Sequence, residues 1–434
     1  MSIRGKLWVL VLSGAIAVYA VVGGLPFIGS VLNANAQQTA NDSRSQMRIV
    51  DSLLQHIQND YVDDPNMEKV RVGALRGLAN GLDPYSAFLT ADQVKEYQAR
   101  LAKPKVSIGA EFSTVSGYLY VISAIKGGPA DLAGMKTGDF IEYVDGKATR
   151  DISLYDATQL VAGDSGTSVS LRVLRSAEKP QTIKVTRGTF AFPKSEVRTE
   201  GGKIGVVKVF SLDEGSTADI RNQLGVFQRQ GISKAILDLR GVAGGKLDEA
   251  AGVANLFIKA GTLAMVQGRE GKLIRTLDAD AAKVVFTGEA AVLTNLSTAG
   301  AAEAIASAFI DHKRGEVIGE RTFGMGTEQQ FFPMKSGDGY LLTVGKWASS
   351  TGKPFFGEER ATMGVKPSIE VKRPDTPEPL DPESFIDQQN PVAPGVVPIP
   401  TPTPKAKVPV STEDIQLKKA IEVLSPKVDA AKAG

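Results

Sequence analysis

Residues 292–330, VLTNLSTAGAAEAIASAFIDHKRGEVIGERTFGMGTEQQ, read as a buried strand, a turn of small residues, a helix, a second strand and a glycine-rich loop. Such a layout can present a nucleophile at the start of the helix and a base in the loop, the pairing that activates a side chain for covalent catalysis. The two positions so presented hold Gly300 and Met325. Glycine has no nucleophilic atom, and a thioether takes no proton at physiological pH. The nearest hydroxyls are those of Ser297 and Thr298, each more simply a turn or helix-capping residue. Lys313, Lys346 and His312 are the basic residues that could serve such a hydroxyl.

Composition narrows the remaining chemistry. The 434 residues suffice for about three domains. Hydrophobic and charged fractions of 42% and 23% are those of a globular chain. Lysine and arginine exceed aspartate and glutamate by only 50 to 48, with no basic stripe, which argues against nucleic acid as a partner. Cysteine is absent, excluding disulfides, thiol catalysis and sulfur-ligated zinc. With His56 and His312 as the only histidines, no metal centre and no cofactor is called for.

The first residues speak to compartment. Arg4 and Lys6 precede an apolar run that begins at Leu7 and continues to Leu32, followed by Ala34-Asn35-Ala36, a small-x-small pattern. The run approaches the ~20 residues needed to span a bilayer. Residues 1–36 are therefore either a signal peptide or a retained anchor, and in both cases the rest is exported to the periplasm or cell envelope.

Residues 44–104 form a helical segment: Met47, Val50, Leu54, Ile57 and Tyr61 recur at helical spacing, and a second helix covers residues 67–82. Asp83-Pro84-Tyr85-Ser86 is a turn, and Thr90 with Gln93 makes a capping box. These helices must bury an apolar face, on the core or on another subunit. Residues 105–190 change to short strands, with a hairpin signal at Asp145-Gly146 and a helix over residues 151–162.

The run SIGAEF, followed by GGPADLAGMKTGDFIEYVDGK, resembles a PDZ domain over its whole length. In such a domain a glycine-containing turn aims backbone N–H groups at a terminal carboxylate, and the exposed strand edge pairs with an extended peptide. By that resemblance Ile108, Gly109 and Ala110 bind the carboxylate, while Leu154, Ala157 and Val161 line the apolar pocket. The alternative is a groove filled by the protein's own segments.

Residues 191–373 alternate strands and helices, implying a mixed sheet covered by helices. DLRGVAGG at 238–245, NLSTAGAAE at 295–303, DHKR at 311–314 and GERTFGMGTEQ at 319–329 occur in register. With the PDZ-like part ahead of them, they resemble the carboxyl-terminal processing, or tail-specific, serine peptidases. The resemblance implies an α/β and α+β multidomain chain: a helical N-terminal segment, a PDZ-type β-sandwich domain and a mixed α/β peptidase core. It also implies a serine nucleophile at position 300, a lysine base at 325 and an orienting glutamine at Gln329. The oxyanion hole falls on the N–H groups of Gly244 and Ala301. Losing one member of such a unit costs on the order of a millionfold in turnover.

Residues 374–410 are proline-dense and read as an extended linker, ending in a helix and tail at 411–434. Three readings follow. The first is an exported, catalytically dead relative that binds protein C-termini or unfolded peptides, acts as a homo-oligomer and regulates an active relative, touching membrane only through its N-terminal segment. The second is an active serine peptidase using Thr298 or Ser297. The third is a structural envelope protein.

Overall fold

The computed structural model describes residues 43–102, 106–150, 152–175, 178–359, 362–373 and 413–425. The apolar N-terminal run, its small-x-small site and the proline-dense linker lie outside these residues. Among the described residues no helix is long and apolar enough to cross a membrane. The chain divides between Ala74 and Leu75 into two compact units.

The helical spacing noted above produces α1 (Ser43–Asp60) and α2 (Met67–Asn80). Met47, Ile49, Val50 and Leu53 on α1 remain exposed. Beyond α2, Asp83 closes its turn by accepting the N–H groups of Tyr85 and Ser86, both at 2.8 Å, and the Ser86 hydroxyl at 2.9 Å. Strand β1 (Ala87–Leu89) follows and pairs antiparallel with residues 339–341 of the core. This short strand lies within the helical segment expected over 44–104, whose helices are otherwise present. Three residues carry no periodicity, and only their pairing partner makes them a strand. The reciprocal Thr90–Gln93 bonds then open α3 (Ala91–Ala102).

The PDZ-like part contains β2 (Ala110–Val115), β3 (Tyr118–Ala124), α4 (Pro129–Leu132), β4 (Phe140–Val144), β5 (Lys147–Ala148), α5 (Leu154–Val161), β6 (Ser168–Leu174) and β7 (Gln181–Thr186). Its sheet runs β2-β3-β4-β6-β7, with β5 on β4. Asp145 and Gly146, at φ 49° and 77°, make the mirror-image turn that matches strand twist. Strand β3 is buried along both faces. Leu119 and Val121 enter the domain's own core, while Tyr118, Tyr120 and Ile122 face the other way.

The core continues with β8 (Glu196–Glu200), β9 (Ile204–Lys208), α6 (Ser216–Arg229), β10 (Lys234–Asp238), α7 (Leu247–Asn255), β11 (Thr262–Gln267), β12 (Leu273–Asp278), β13 (Glu289–Thr294), α8 (Ala301–Asp311), β14 (Glu316–Gly319), β15 (Thr327–Pro333), β16 (Gly339–Ala348), β17 (Ile369–Glu370) and α9 (Ile415–Leu424). Strands β9, β10, β13 and β14 are parallel neighbours in a six-stranded sheet ordered β17-β14-β13-β10-β9-β8. Alternation along each strand splits its residues between two layers. Val207, Leu237, Val292 and Val317 pack with α6, α7 and α8, whereas Val206, Ile236, Leu293 and Ile318 pack with Leu417, Ala420 and Leu424 of α9. The C-terminal helix therefore docks back on the core and covers the second face of its sheet.

Arg240 locks that helix in place. Its guanidinium bonds both carboxylate oxygens of Asp414 at 2.8 Å and those of Asp238 at 2.9 and 2.8 Å. Asp414 also caps α9 by accepting the Leu417 N–H at 3.0 Å. Replacing it, Asp414→Ala, should cost ~1–2 kcal/mol, since a cap and a partly exposed ion pair are both lost. Equilibrium denaturation measures the loss, and hydrogen exchange should place it in α9.

Candidate functional site

Strand β13 delivers the chain to a six-residue turn, 295–300, that enters α8. Thr298 anchors this turn: its hydroxyl accepts the Asn295 N–H and donates to the Leu239 carbonyl, both at 3.0 Å, and the residue is 0% exposed. Ser297 shares a 2.7 Å hydroxyl–hydroxyl bond with Thr137 of the PDZ-like part. Both hydroxyls are therefore engaged in holding structure. His312 bonds the Thr262 carbonyl at 2.7 Å, and Lys346 lies over the Phe356 ring at 5.3 Å.

Gly300 ends the turn at φ 66°, ψ −122°, a conformation strained for any residue with a Cβ. This is the sharp strand-to-helix bend that exposes a nucleophile in many hydrolases, kept here around a residue with no side chain. A Cβ at this position would begin 3.1 Å from the Gly244 carbonyl oxygen. That same carbonyl accepts the Ala301 N–H at 3.0 Å. The Ala301 N–H, one of the two donors expected for an oxyanion hole, is therefore satisfied by the Gly244 carbonyl in this conformation.

Glu303 holds positions 300 and 325 in register. Helix α8 is buried on every side, which is why it is built from alanine, and Glu303 is 0% exposed in its first turn. One carboxylate oxygen accepts the Gly300 and Met325 N–H groups at 2.8 and 2.7 Å. The other accepts the Gly324 N–H at 2.9 Å and the Thr322 hydroxyl. Burial pushes the carboxyl up to about 7, and these donors pull against it. In the sequence Glu303 stands as a charge inside the first turn of an apolar, alanine-rich helix, the signal from which such a hub could be found.

Met325 packs with Phe323 and Ala299 against Tyr118, Tyr120, Ile122, Phe140 and Leu174. Tyr120 and Phe323 stack at 5.8 Å, and the Ser123 hydroxyl reaches the Gly241 carbonyl at 2.7 Å. The PDZ-like sheet thus lies directly on the loops that carry positions 244, 300 and 325. Gln329 does not join them. Its side chain is exposed on β15, where the amide donates to Thr327 and Thr343 at 2.7 and 3.3 Å. In this conformation the Gln329 amide, expected to orient a residue at 325, is bonded within its own sheet instead.

Two residues that sequence reading passed over also reach this place. The Glu111 carboxyl on β2 lies 2.9 Å from where a Cβ on Gly244 would stand, and burial together with Asp213 pushes it up to about 7. Burial likewise raises the Tyr85 phenol well above its usual range, with Glu303 and Glu111 among the charges acting on it.

At the expected carboxylate loop, Gly109 has φ 73° and its carbonyl accepts the Ile125 N–H at 2.9 Å. The Ile108 carbonyl accepts from Ala130 at 2.7 Å. Ala110 opens β2, the edge strand of its sheet. The Phe190 ring sits against Gly109, 2.8 Å from a hypothetical Cβ. Leu154, Ala157 and Val161 share one apolar cluster with Ile108 and are buried rather than lining an open cleft.

Residues 203–371 match peptidase family S41, and residues 120–175 match a PDZ domain. The chain is 29% identical over 372 residues to the carboxy-terminal processing protease CtpA of Bacillus subtilis (strain 168), covering 85% of this chain and 78% of that one. It is 28% identical over 374 residues to a probable CtpA-like serine protease of Staphylococcus aureus (strain MRSA252), with 85% and 73% covered. The photosystem II D1 C-terminal processing protease shares its fold, with a TM-score of 0.62 at 24% identity over 74% of this chain and 91% of that one.

Two predictions follow from the site. Gly300→Ser should destabilise the protein by ~1–3 kcal/mol through backbone strain, measured by denaturant titration. For Glu111 the native state keeps its proton to about pH 7, whereas the unfolded carboxyl releases it near the ordinary 4.5. The stability it contributes is full below pH 4.5 and is lost as pH rises through 7. Thermal midpoints should fall across that window, and fall less in Glu111→Gln.

Proposed function

For a homologue of the carboxyl-terminal processing serine peptidases, with a PDZ domain ahead of an S41 core, we propose a function in binding rather than cleavage. The protein is a pseudo-peptidase that captures protein C-termini or unfolded peptides through its PDZ domain. It is exported and acts in the periplasm or cell envelope, with residues 1–36 as signal or anchor. It works as a homo-oligomer and regulates an active relative.

The observation that carries this reading is the fate of the two catalytic positions. Gly300 and Met325 stand at the strand-to-helix bend and on the glycine loop, held there by one carboxylate, and neither can attack a carbonyl or accept a proton. The rescue by Thr298 or Ser297 is disfavoured because both hydroxyls are committed, at 3.0 Å to Leu239 and at 2.7 Å to Thr137. In support of a retained ligand site, the PDZ domain keeps β2 as an edge strand and a glycine in its carboxylate loop.

The purified protein should leave a denatured protein substrate intact, while labelled peptides with a free C-terminus bind in fluorescence anisotropy. Amidating the peptide C-terminus should weaken binding at least ~10-fold, the value of a charge-assisted bond. Cleavage that disappears in Thr298→Ala or Ser297→Ala would sink the pseudo-peptidase reading. A peptide library with no binder, or with no preference for a free carboxylate, would leave the PDZ domain as structure only.

A further inference from the structure

The expected peptide groove lies between the free edge of β2 and helix α5, and it is not open. Every residue of α5 is at least partly buried, although packing on its own domain covers only one face of such a helix. Helix α3 covers another: the Gln93 amide donates to Asp156 at 2.7 Å, and the rings of Tyr97 and Tyr155 lie 6.5 Å apart.

The strand side of the groove is closed by Tyr85. Among the described residues β2 pairs only with β3, so its second edge has no strand partner. Ser113, in the middle of β2, stands opposite Tyr120 and shares the outer face of the sheet with it. Phe112 points the other way, into the apolar cluster that holds Leu154, Ala157 and Val161. Tyr85 meets both faces. Ser113 is near enough to act on its phenol, and the same side chain packs against the cluster of Phe112. A single ring reaches both faces of a strand at mid-length only by lying beside its unpaired edge. That edge is where an added peptide strand pairs with a PDZ domain.

We propose that Tyr85 gates the groove: its ring stands in the place of an incoming strand, and a peptide with an apolar C-terminal residue enters only when the ring swings out. This rests on the peptide-binding reading above and adds its regulation. Phe356 braces the ring edge-on at 5.4 Å, and Asp83 accepts the Tyr85 N–H at 2.8 Å in a turn that Thr343 ties to the core. The hydroxyl opposes closure. Among the described residues the phenol oxygen is buried without a hydrogen-bond partner. Burying a hydroxyl unpaired is unfavourable, and swinging out returns it to water. The closed position is held by packing and opposed by one polar atom, which makes the ring displaceable. An apolar last residue fits because Ile108, Leu154, Ala157 and Val161 form the pocket behind the edge.

Binding is measured on the full-length protein by fluorescence anisotropy and stopped flow, with labelled peptides ending in a free alanine, valine or leucine. Tyr85→Ala should bind them at least ~10-fold more tightly than the unaltered protein, since no ring has to be displaced to reach the competent state. The gain should lie in the association rate, with dissociation nearly unchanged. Tyr85→Phe, which removes the unpaired hydroxyl and favours closure, should bind roughly fivefold more weakly. Phe356→Leu loosens the brace from outside the PDZ-like part and should also raise affinity, so it serves if Tyr85→Ala does not fold. Affinities unchanged or lowered in Tyr85→Ala and Phe356→Leu would overturn the gate and leave peptide capture standing. A gain carried by slower dissociation would overturn it too, since that marks a new contact rather than an opened path. If the unaltered protein and the folded variants all bind no peptide, the gate and the peptide-binding reading fall together.

Discussion

A single buried carboxylate fixes the geometry on which the candidate site depends. Glu303 is desolvated, and it is tolerated there because four donors converge on it: the N–H groups of Gly300, Gly324 and Met325, and the Thr322 hydroxyl. Removing such an acceptor leaves buried donors without partners, which is costlier than the bonds are favourable. The contact ties the start of α8 to a loop more than twenty residues later. The bonds from positions 300 and 325 to this carboxylate are made through their backbone N–H groups, so they do not depend on the chemistry of the side chains there.

Around that hub the protein is closed. The Gly244 carbonyl takes the Ala301 N–H, and the neighbouring Val242 carbonyl takes that of Ala299 at 2.9 Å. The loop after β10 is thus zipped onto the turn before α8. Over it lies the outer face of the PDZ-like sheet, with Tyr120 stacked on Phe323. Burial of β3 on both faces makes this a packed boundary, since a strand buried on one side alone would alternate apolar with polar residues.

The far side of the core depends on a similar device. Arg240 sits at the start of the same loop and grips Asp238 and Asp414 together. It thereby links the end of β10 to the cap of a helix about 170 positions away in sequence. Without α9 the apolar residues of the second sheet face, Val206, Ile236, Leu293 and Ile318 among them, would lack their cover. Arg240 stands immediately before the loop 241–245, and Gly300, which Glu303 holds, lies against Gly244 within it.

Much of this was legible in residue order. Periodicity located α1, α2, the strands of the PDZ-like part and the alternating core, because burial on one face leaves a repeating trace. Residue types alone showed that positions 300 and 325, a glycine and a methionine, carry neither a nucleophilic nor a basic side chain. Contacts between distant segments were not legible. Strand β1 has too few residues to show a period, and β16 alone makes it a strand. The turn of Gln329 toward Thr343, the approach of Glu111 to Gly244 and the occupation of the Ala301 donor are facts of tertiary placement. Sequence determined which atoms are present at each position. Only the folded chain decided which of them meet, because hydrogen bonds and packing across the sheet join residues whose spacing carries no record of their contact.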